Sequence, residues 1–214
     1  FIVNYGVSPH HLSSKVFLGI VEWLRTTRLD AKHNGRKLEA DALKIVINRI
    51  YGALNDAMDY LYDPECTYTV TINLQLLLCN LIEAFELNKF EVLSANTDGL
   101  LIRLPIERKG TFDHICKEWE EYSKLTLETE KFEKYCRSAV NDYIAVGYGF
   151  YDALQEYNRC GVWIDSKGNT YTTRQAIEDK FIKFKGYFLQ DPEYNKGFVY
   201  PVVKKALKEY FLYG

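Results

Sequence analysis

Residues 43–56 read LKIVINRIYGALND, and their spacing organises the first half of the chain. Apolar residues recur every three or four positions here, which predicts a helix with one buried stripe. The stripe consists of Leu43, Val46, Ile47, Ile50 and Leu54. Lys44, Asn48 and Tyr51 share a second face, about a third of a turn away. The segment therefore predicts a helix that offers a polar face beside its core face.

A second amphipathic helix precedes this one. Its apolar positions recur at helical spacing from a start at Pro9 up to about Lys32. His33-Asn34-Gly35 ends the pattern, and the next helix runs from about Lys37 to Asp59. The short link predicts an antiparallel pair of helices.

Cations gather on both of these helices. Arg25, Arg28 and Lys32 lie on one side of the first, facing Lys44 on the second. They would repel one another unless an anion lay between them, and a triphosphate suits Arg and Lys together. A surface helix pair with solvated cations is an equally good interpretation of the spacing alone. Gly52 favours the triphosphate interpretation. A helical Gly costs ~1 kcal/mol relative to Ala, which indicates that another group, such as a nucleotide base, comes close to the backbone there.

The composition is that of a globular protein, with 47% hydrophobic residues and a net charge of −2. No run approaches the ~20 apolar residues of a membrane span, so we expect no membrane partner. The widely spaced cysteines indicate a reducing compartment, which agrees with a cytoplasmic protein. Residues 25–49 carry seven Lys or Arg against three acids, and residues 180–208 seven Lys against two, which suits phosphate binding at two places. The five cysteines lack zinc-ligand spacing and are expected to be buried free thiols.

The stretch SANTDGLL, residues 94–101, lies between two apolar runs. Asn, Asp and Gly are the residues that tight turns require, so the pattern predicts a β-hairpin. Its tip is also where a metal-dependent phosphoryl-transfer enzyme can place a carboxylate, here Asp98. Composition alone favours the turn.

The remaining patterns predict an α+β fold with an antiparallel sheet. A helix at about Val70 to Leu87 is apolar on most sides and is expected to be buried. The other predicted elements are a helix at 111–124, strands within 125–135, 141–149 and 181–188, and a closing helix at 199–211.

The segment from Lys44 to Gly52 resembles motif B of family B DNA polymerases, K-x-x-x-N-S-x-Y-G. Arg49 stands where the family usually has Ser; it either adds a phosphate contact or points outward. Arg28 and Lys32 resemble the basic pair on the preceding fingers helix. The resemblance implies that Arg28, Lys32 and Lys44 bind the triphosphate of a dNTP, with Lys44 also catalytic. It places Asn48 and Tyr51 near the nascent base pair.

SANTDG then resembles motif C of the family, Y-x-D-T-D-S, in which Thr97 and Asp98 match. Ser94, Asn96 and Gly99 replace the Tyr, the first Asp and the Ser. The resemblance implies that Asp98 is the catalytic metal ligand, that Thr97 contacts DNA, and that Asn96 lowers the charge of the site. In this context we favour catalysis over a simple turn.

Further segments resemble later parts of the same family. Glu128 and Glu130 resemble a carboxylate-bearing palm strand, expected to present both on one face. NDYIAV resembles the K-K-R-Y-x-G region that contacts primer-template DNA; Tyr143 matches, whereas Asn141 replaces a Lys. Lys185 and the Lys-rich closing helix look like the start of a thumb that binds duplex backbone.

Together these resemblances imply a phage-like polymerase with the right-hand architecture of palm, fingers and thumb. Its predicted parts are the end of the motif A region (1–8), helical-hairpin fingers (9–62), a palm with an antiparallel sheet (63–149), an insertion (150–180) and a partial helical thumb (181–214). The implied activity is DNA-directed DNA synthesis with two Mg²⁺ ions (or Mn²⁺), dNTPs and primer-template DNA. The motif A Asp is expected in an N-terminal part that precedes Phe1, so we expect this chain alone to be inactive.

Two other classes remain open. One is a nucleic-acid-binding polymerase remnant without catalysis, which the Asn96 and Asn141 replacements would suit. The other is a different palm polymerase such as a reverse transcriptase, against which the helical K-x-x-x-N-x-x-Y-G pattern argues.

Overall fold

The computed structural model describes residues 1–96, 99–139, 142–186 and 201–214, apart from the side chains of Pro201 and Lys204. It divides into two compact units, Phe1–Leu127 and Glu128–Gly214. The division falls within 63–149, the range predicted as a palm. The fold is α+β with small antiparallel sheets, as predicted.

The first unit contains five α-helices and a β-hairpin among its described residues. The elements are α1 (Ile2–Tyr5), α2 (Ser14–His33), α3 (Lys37–Leu54), α4 (Pro64–Leu87), β1 (Glu91–Ala95), β2 (Leu100–Arg103), a 3₁₀ turn (Ile106–Arg108) and α5 (Lys109–Ser123). The predicted pair of helices is confirmed as α2 and α3, here called the helix pair. Gly35 in the link has φ 71°, a conformation that glycine adopts without strain.

The helix pair is shorter at both ends than predicted. Before α2, His10 donates its backbone N–H and its ring Nδ1–H to Asp63, both at 2.8 Å, and these bonds hold the segment out of the helix. After α3, the side chains of Asp56 and Asp59 accept backbone N–H bonds two residues on, at 3.1 and 3.0 Å. Such local bonds compete with helix formation.

The prediction that the apolar helix is buried is wrong. α4 begins six residues earlier than predicted, because Asp63 caps it and Pro64 occupies its first turn. Tyr68, Ile72 and Leu76 form an exposed stripe along it. By length and composition alone α4 could cross a membrane, while its Leu81 and Phe85 belong to the core of the first unit.

That core holds the β-hairpin against α4 and α5. Its buried members are Leu81, Phe85, Phe90, Ile115 and Trp119. Val92, Leu100 and Ile102 pack on it from the hairpin. The Trp119 indole donates to Leu77 O at 2.9 Å, which satisfies its buried N–H and ties α5 to α4.

The second unit is a three-stranded antiparallel sheet with helices on one face. Its elements are β3 (Phe132–Ala139), β4 (Asp142–Gly147), α6 (Phe150–Cys160), β5 (Trp163–Ile164), β6 (Thr170–Tyr171), α7 (Arg174–Phe181), β7 (Ile182–Lys185) and α8 (Pro201–Tyr213). The sheet order is β3-β4-β7, and β5 and β6 form a separate hairpin. Ile144, Val146 and Ile182 share one core with Leu212 of α8.

Two further expectations are corrected. The predicted strand at 125–135 begins only at Phe132, because Leu125 and Leu127 pack on the core of the first unit instead. Glu128 and Glu130 therefore precede the strand. All five cysteines are free thiols as expected, but only Cys66 is buried.

Candidate functional site

Arg28 lies on the face of α2 that is turned toward the core. Val21 and Leu24, seven and four residues before it, are both buried. The Arg28 Nε is also buried, and it has no hydrogen-bond acceptor among the residues that the structure describes. An unsatisfied buried donor costs about 1–3 kcal/mol, and more when it is charged. The position thus calls for an acceptor from outside the described residues.

Lys32 and Lys44 are exposed on the two helices of the pair. Neither has an ion pair with a carboxylate in the described part of the chain. We call Arg28, Lys32 and Lys44 the helix-pair cations. Exposed lysines without a carboxylate are common, so the buried Nε of Arg28 carries most of the weight.

Other cations of the helix pair do have partners. Arg25, expected to join the anion cluster, pairs with Glu22 at 3.1 Å. Arg36 pairs with Glu39 at 2.7 Å and also with Asp30. The three cations singled out by the polymerase resemblance are therefore ones for which the described residues supply no carboxylate partner.

Arg49, the departure from motif B, is used within the fold. Its Nη2 lies 3.3 Å from Asp56 and 2.9 Å from Asp59, in the turns after α3. Two alternatives were considered for this residue, a phosphate contact and a free outward side chain. The structure favours neither of them. Arg49 fixes the exit of α3.

Tyr51 and Asn48 lie on the exposed face of α3 near Lys44. The Tyr51 hydroxyl shares a hydrogen bond with Thr71 of α4 at 2.6 Å. A Cβ placed on Gly52 would meet only the Arg49 guanidinium, 4.0 Å away. No close approach to Gly52 is thus made by the described residues, and its surroundings are open to a ligand.

α4 connects this face to the β-hairpin. Its Thr71 contacts Tyr51, and Phe85, about 21 Å further along at 1.5 Å per residue, packs in the core that carries β1 and β2. The hairpin pairs Ala95 with Leu100, and the Asn96 N–H donates to Gly99 O at 2.8 Å. The backbones of Asn96 and Gly99 thus continue the pairing of the hairpin.

Thr97 and Asp98 lie outside the described residues, so the metal and DNA roles predicted for them stay predictions. Among the residues that are described, no group of three His, Cys, Asp or Glu could hold a metal ion. Glu130 forms an ion pair with Lys183 at 2.5 Å. The described side chains by themselves do not fit a two-metal site.

The two DNA-contact residues predicted in the second unit are neighbours. Tyr143 of β4 lies directly opposite Lys185 of β7, and opposite Arg137 of β3 on its other side. Tyr135 stacks on Tyr143 with ring centres 5.0 Å apart. Sequence reasoning missed Tyr135 and Arg137, although their spacing of two residues in a strand places both on one face.

The closing helix does not present all its lysines to DNA, as its resemblance to a thumb implied. Lys208 forms an ion pair with buried Glu178, which also accepts from the Tyr213 hydroxyl at 2.8 Å and from Arg174 Nε at 2.9 Å. Burial raises the pKa of Glu178, but Lys208, Tyr213 and Arg174 together lower it below its usual value. Burial and this carboxylate raise the pKa of Tyr213 to about 12.

Searches of models of known protein families and of curated proteins found no match to this chain. The function of the chain is therefore inferred from its residues and their geometry.

Proposed function

We propose that the chain is the fingers, palm and initial thumb of a DNA-directed DNA polymerase of the family B type. Such an enzyme transfers a nucleotide from a dNTP to a primer 3′-hydroxyl. The observation that carries the proposal is the buried Nε of Arg28, which has no acceptor in the described ranges of the chain. Its helix packs against the one that bears Lys44.

The helix-pair cations suit a triphosphate. Arg28 offers a planar fork to phosphate oxygens, whereas Lys32 and Lys44 act as point charges. As the bond to the leaving pyrophosphate breaks, negative charge grows on the phosphate oxygens, and the Lys44 ammonium would stabilise it. Asn48 and Tyr51 lie beside Lys44 where they would contact the nascent base pair.

The remaining roles belong to residues outside this face. Thr97, Tyr143 and Lys185 would contact primer-template DNA, and Asp98 would hold Mg²⁺ (or Mn²⁺) together with a carboxylate encoded upstream. The bound metals would activate the 3′-hydroxyl and neutralise the leaving group. A host-cell cytoplasm and a phage source go with this proposal.

Nucleotide binding tests the first part of the proposal. The 214-residue chain is titrated with dATP and Mg²⁺ by calorimetry, alongside Arg28→Met and, as a matched control, Lys15→Met on the first turn of α2. We expect Arg28→Met to weaken binding about tenfold, because charge-assisted hydrogen bonds are worth about 1.5–3 kcal/mol, and Lys15→Met to leave it unchanged. Equal affinities in all three proteins would contradict the triphosphate site.

Primer extension tests the second part. In a longer protein that includes the upstream segment, Asp98→Asn should keep the turn and abolish synthesis, and the 214-residue chain alone should be inactive. Synthesis that survives Asp98→Asn would sink the proposal. DNA binding without synthesis, indifferent to both Mg²⁺ and Asp98→Asn, would favour the non-catalytic remnant.

A further inference from the structure

The outer face of the β3-β4-β7 sheet carries an unusual set of side chains. Residues directly opposite each other in an antiparallel sheet share a face. The strand register therefore places two rows on this face, Tyr135–Ala145–Lys183 and Arg137–Tyr143–Lys185. The opposite face holds Ile144, Val146 and Ile182 in the core.

Aromatic rings run along this outer face. Phe132 lies 5.8 Å from Tyr135, and Tyr135 stacks on Tyr143 at 5.0 Å with an interplanar angle of 27°. Both tyrosines are half-buried. The contact between the two tyrosines is made by their ring faces.

Cations border the rings on two strands. Arg137 lies beside Tyr143 on β3, and Lys183 and Lys185 lie on β7. Glu130 neutralises Lys183, to which it is bound at 2.5 and 2.6 Å. Exposed Lys185 has no carboxylate partner in the part of the chain that the structure describes. The face therefore combines stacked rings with a positive border.

We propose that this outer sheet face, defined by Tyr135, Arg137, Tyr143 and Lys185, binds single-stranded nucleic acid. Rings on a sheet stack on unpaired bases, and neighbouring cations follow the phosphates. A duplex offers its bases to no such ring, because they are already stacked on each other. The inference rests on the proposed function and deepens it, because Tyr143 and Lys185 are also the residues proposed to contact primer-template DNA. It names the unpaired strand as the part that this face would bind.

Fluorescence anisotropy with a labelled 16-nucleotide oligo(dT), in EDTA and at low salt, tests the stacking. The double variant Tyr135→Leu/Tyr143→Leu should bind at least tenfold more weakly, because base stacking on an aromatic side chain is worth about that much per base. The double Phe variant should bind within twofold of the wild type. Tyr148→Leu, an exposed tyrosine of the same unit, is the matched control and should change nothing.

A salt series tests the phosphate contacts. Lys185→Gln should lower the slope of log K against log salt by about 0.7, the value expected for one phosphate contact on a single strand. Lys167→Gln, in the exposed turn after β5, should leave the slope unchanged. If the double Leu variant shows no thermal unfolding transition, it is not folded and its weak binding has no meaning. The change in salt slope caused by Lys185→Gln then tests the proposal by itself.

Three outcomes would overturn the inference: no binding by the wild type at low salt, equal binding by the Leu and Phe variants, or equal competition by duplex DNA. Because the assay contains no metal or nucleotide, its result is separate from the primer-extension result. A failure here would remove the DNA-contact roles of Tyr143 and Lys185, whereas the triphosphate and metal roles are tested by calorimetry and primer extension.

Discussion

The cations around Glu178 and the cation Arg28 are used in opposite ways. In the second unit, Arg174 and Lys208 converge on the buried Glu178 carboxylate. On the helix pair of the first unit, Arg28 buries its Nε with no acceptor among the described residues. A cation that meets a buried carboxylate of the same chain is part of the fold, whereas one that meets none is available to a ligand.

The difference follows from the cost of removing charge from water. A buried charge is tolerated only when hydrogen bonds and an opposite charge offset its desolvation. Glu178 has three such partners, which join α7 to α8. The described residues offer the Nε of Arg28 no such partner. A bound anion would therefore stabilise the Arg28 guanidinium, whereas Arg174 already has a carboxylate partner.

The largest expected effect comes from breaking the paired cluster. Glu178→Gln removes the charge that offsets Lys208 and Arg174, and we expect it to lower the free energy of unfolding by about 3 kcal/mol, the lower end for a broken buried pair because Arg174 is half-exposed. Urea unfolding followed by circular dichroism measures this. Glu209→Gln, which removes an exposed carboxylate 3.6 Å from Arg174, is the control and should cost under about 0.5 kcal/mol. Similar losses of unfolding free energy in both variants would mean that Glu178 contributes no more to the fold than an exposed carboxylate does.

The sequence predicted the local parts of this picture well. The helix pair and the β-hairpin could be predicted because each depends on apolar periodicity and turn residues that lie close together in the sequence. The pairing of Glu178 with Lys208 joins residues 30 positions apart, and periodicity carries no information about it. The exposed stripe of α4 was missed for the same reason, because neighbours from elsewhere in the chain decide which apolar residues are covered.

The candidate site was predicted in part. Motif spacing selected Arg28, but it gave no sign that the Nε would be buried without a partner. Tyr143 and Lys185 were selected separately, and only the strand register makes them neighbours. Asp98 lies outside the described residues, so its catalytic role stays a prediction.

A smaller effect is expected at Asp63, where the first unit also pairs a buried carboxylate. Burial raises the pKa of Asp63, but hydrogen bonds from Cys66 and His10 lower it to about 2. The hydrogen bond to Asp63 raises the pKa of His10 above 6.5. The Asp63 contribution to stability is present above its ordinary pKa of about 4 and is lost as the pH falls through about 2. The His10 contribution is complete below about 6.5 and is lost as the pH rises through its raised pKa.

Thermal unfolding as a function of pH measures this pair. The melting temperature should be highest between about pH 4 and 6.5, and His10→Gln should flatten the alkaline side of that profile. His33→Gln changes an exposed histidine at the end of α2 and should leave the profile unchanged. An alkaline slope that persists in His10→Gln would mean that this pair does not hold the segment before α2.

The smallest expected effect is on the helix pair itself. Arg28→Met keeps an unbranched apolar stem and removes a buried donor that no described residue satisfies, so the free energy of unfolding should stay within about 0.5 kcal/mol of the wild type. Arg49→Met, on the same helix pair, breaks the contacts with Asp56 and Asp59 and should cost up to about 1 kcal/mol. Chemical unfolding in the absence of nucleotide compares the two. If Arg28→Met cost 2 kcal/mol or more, Arg28 would belong with Arg174 as a residue of the fold, and weaker nucleotide binding by that variant could no longer be attributed to a lost phosphate contact.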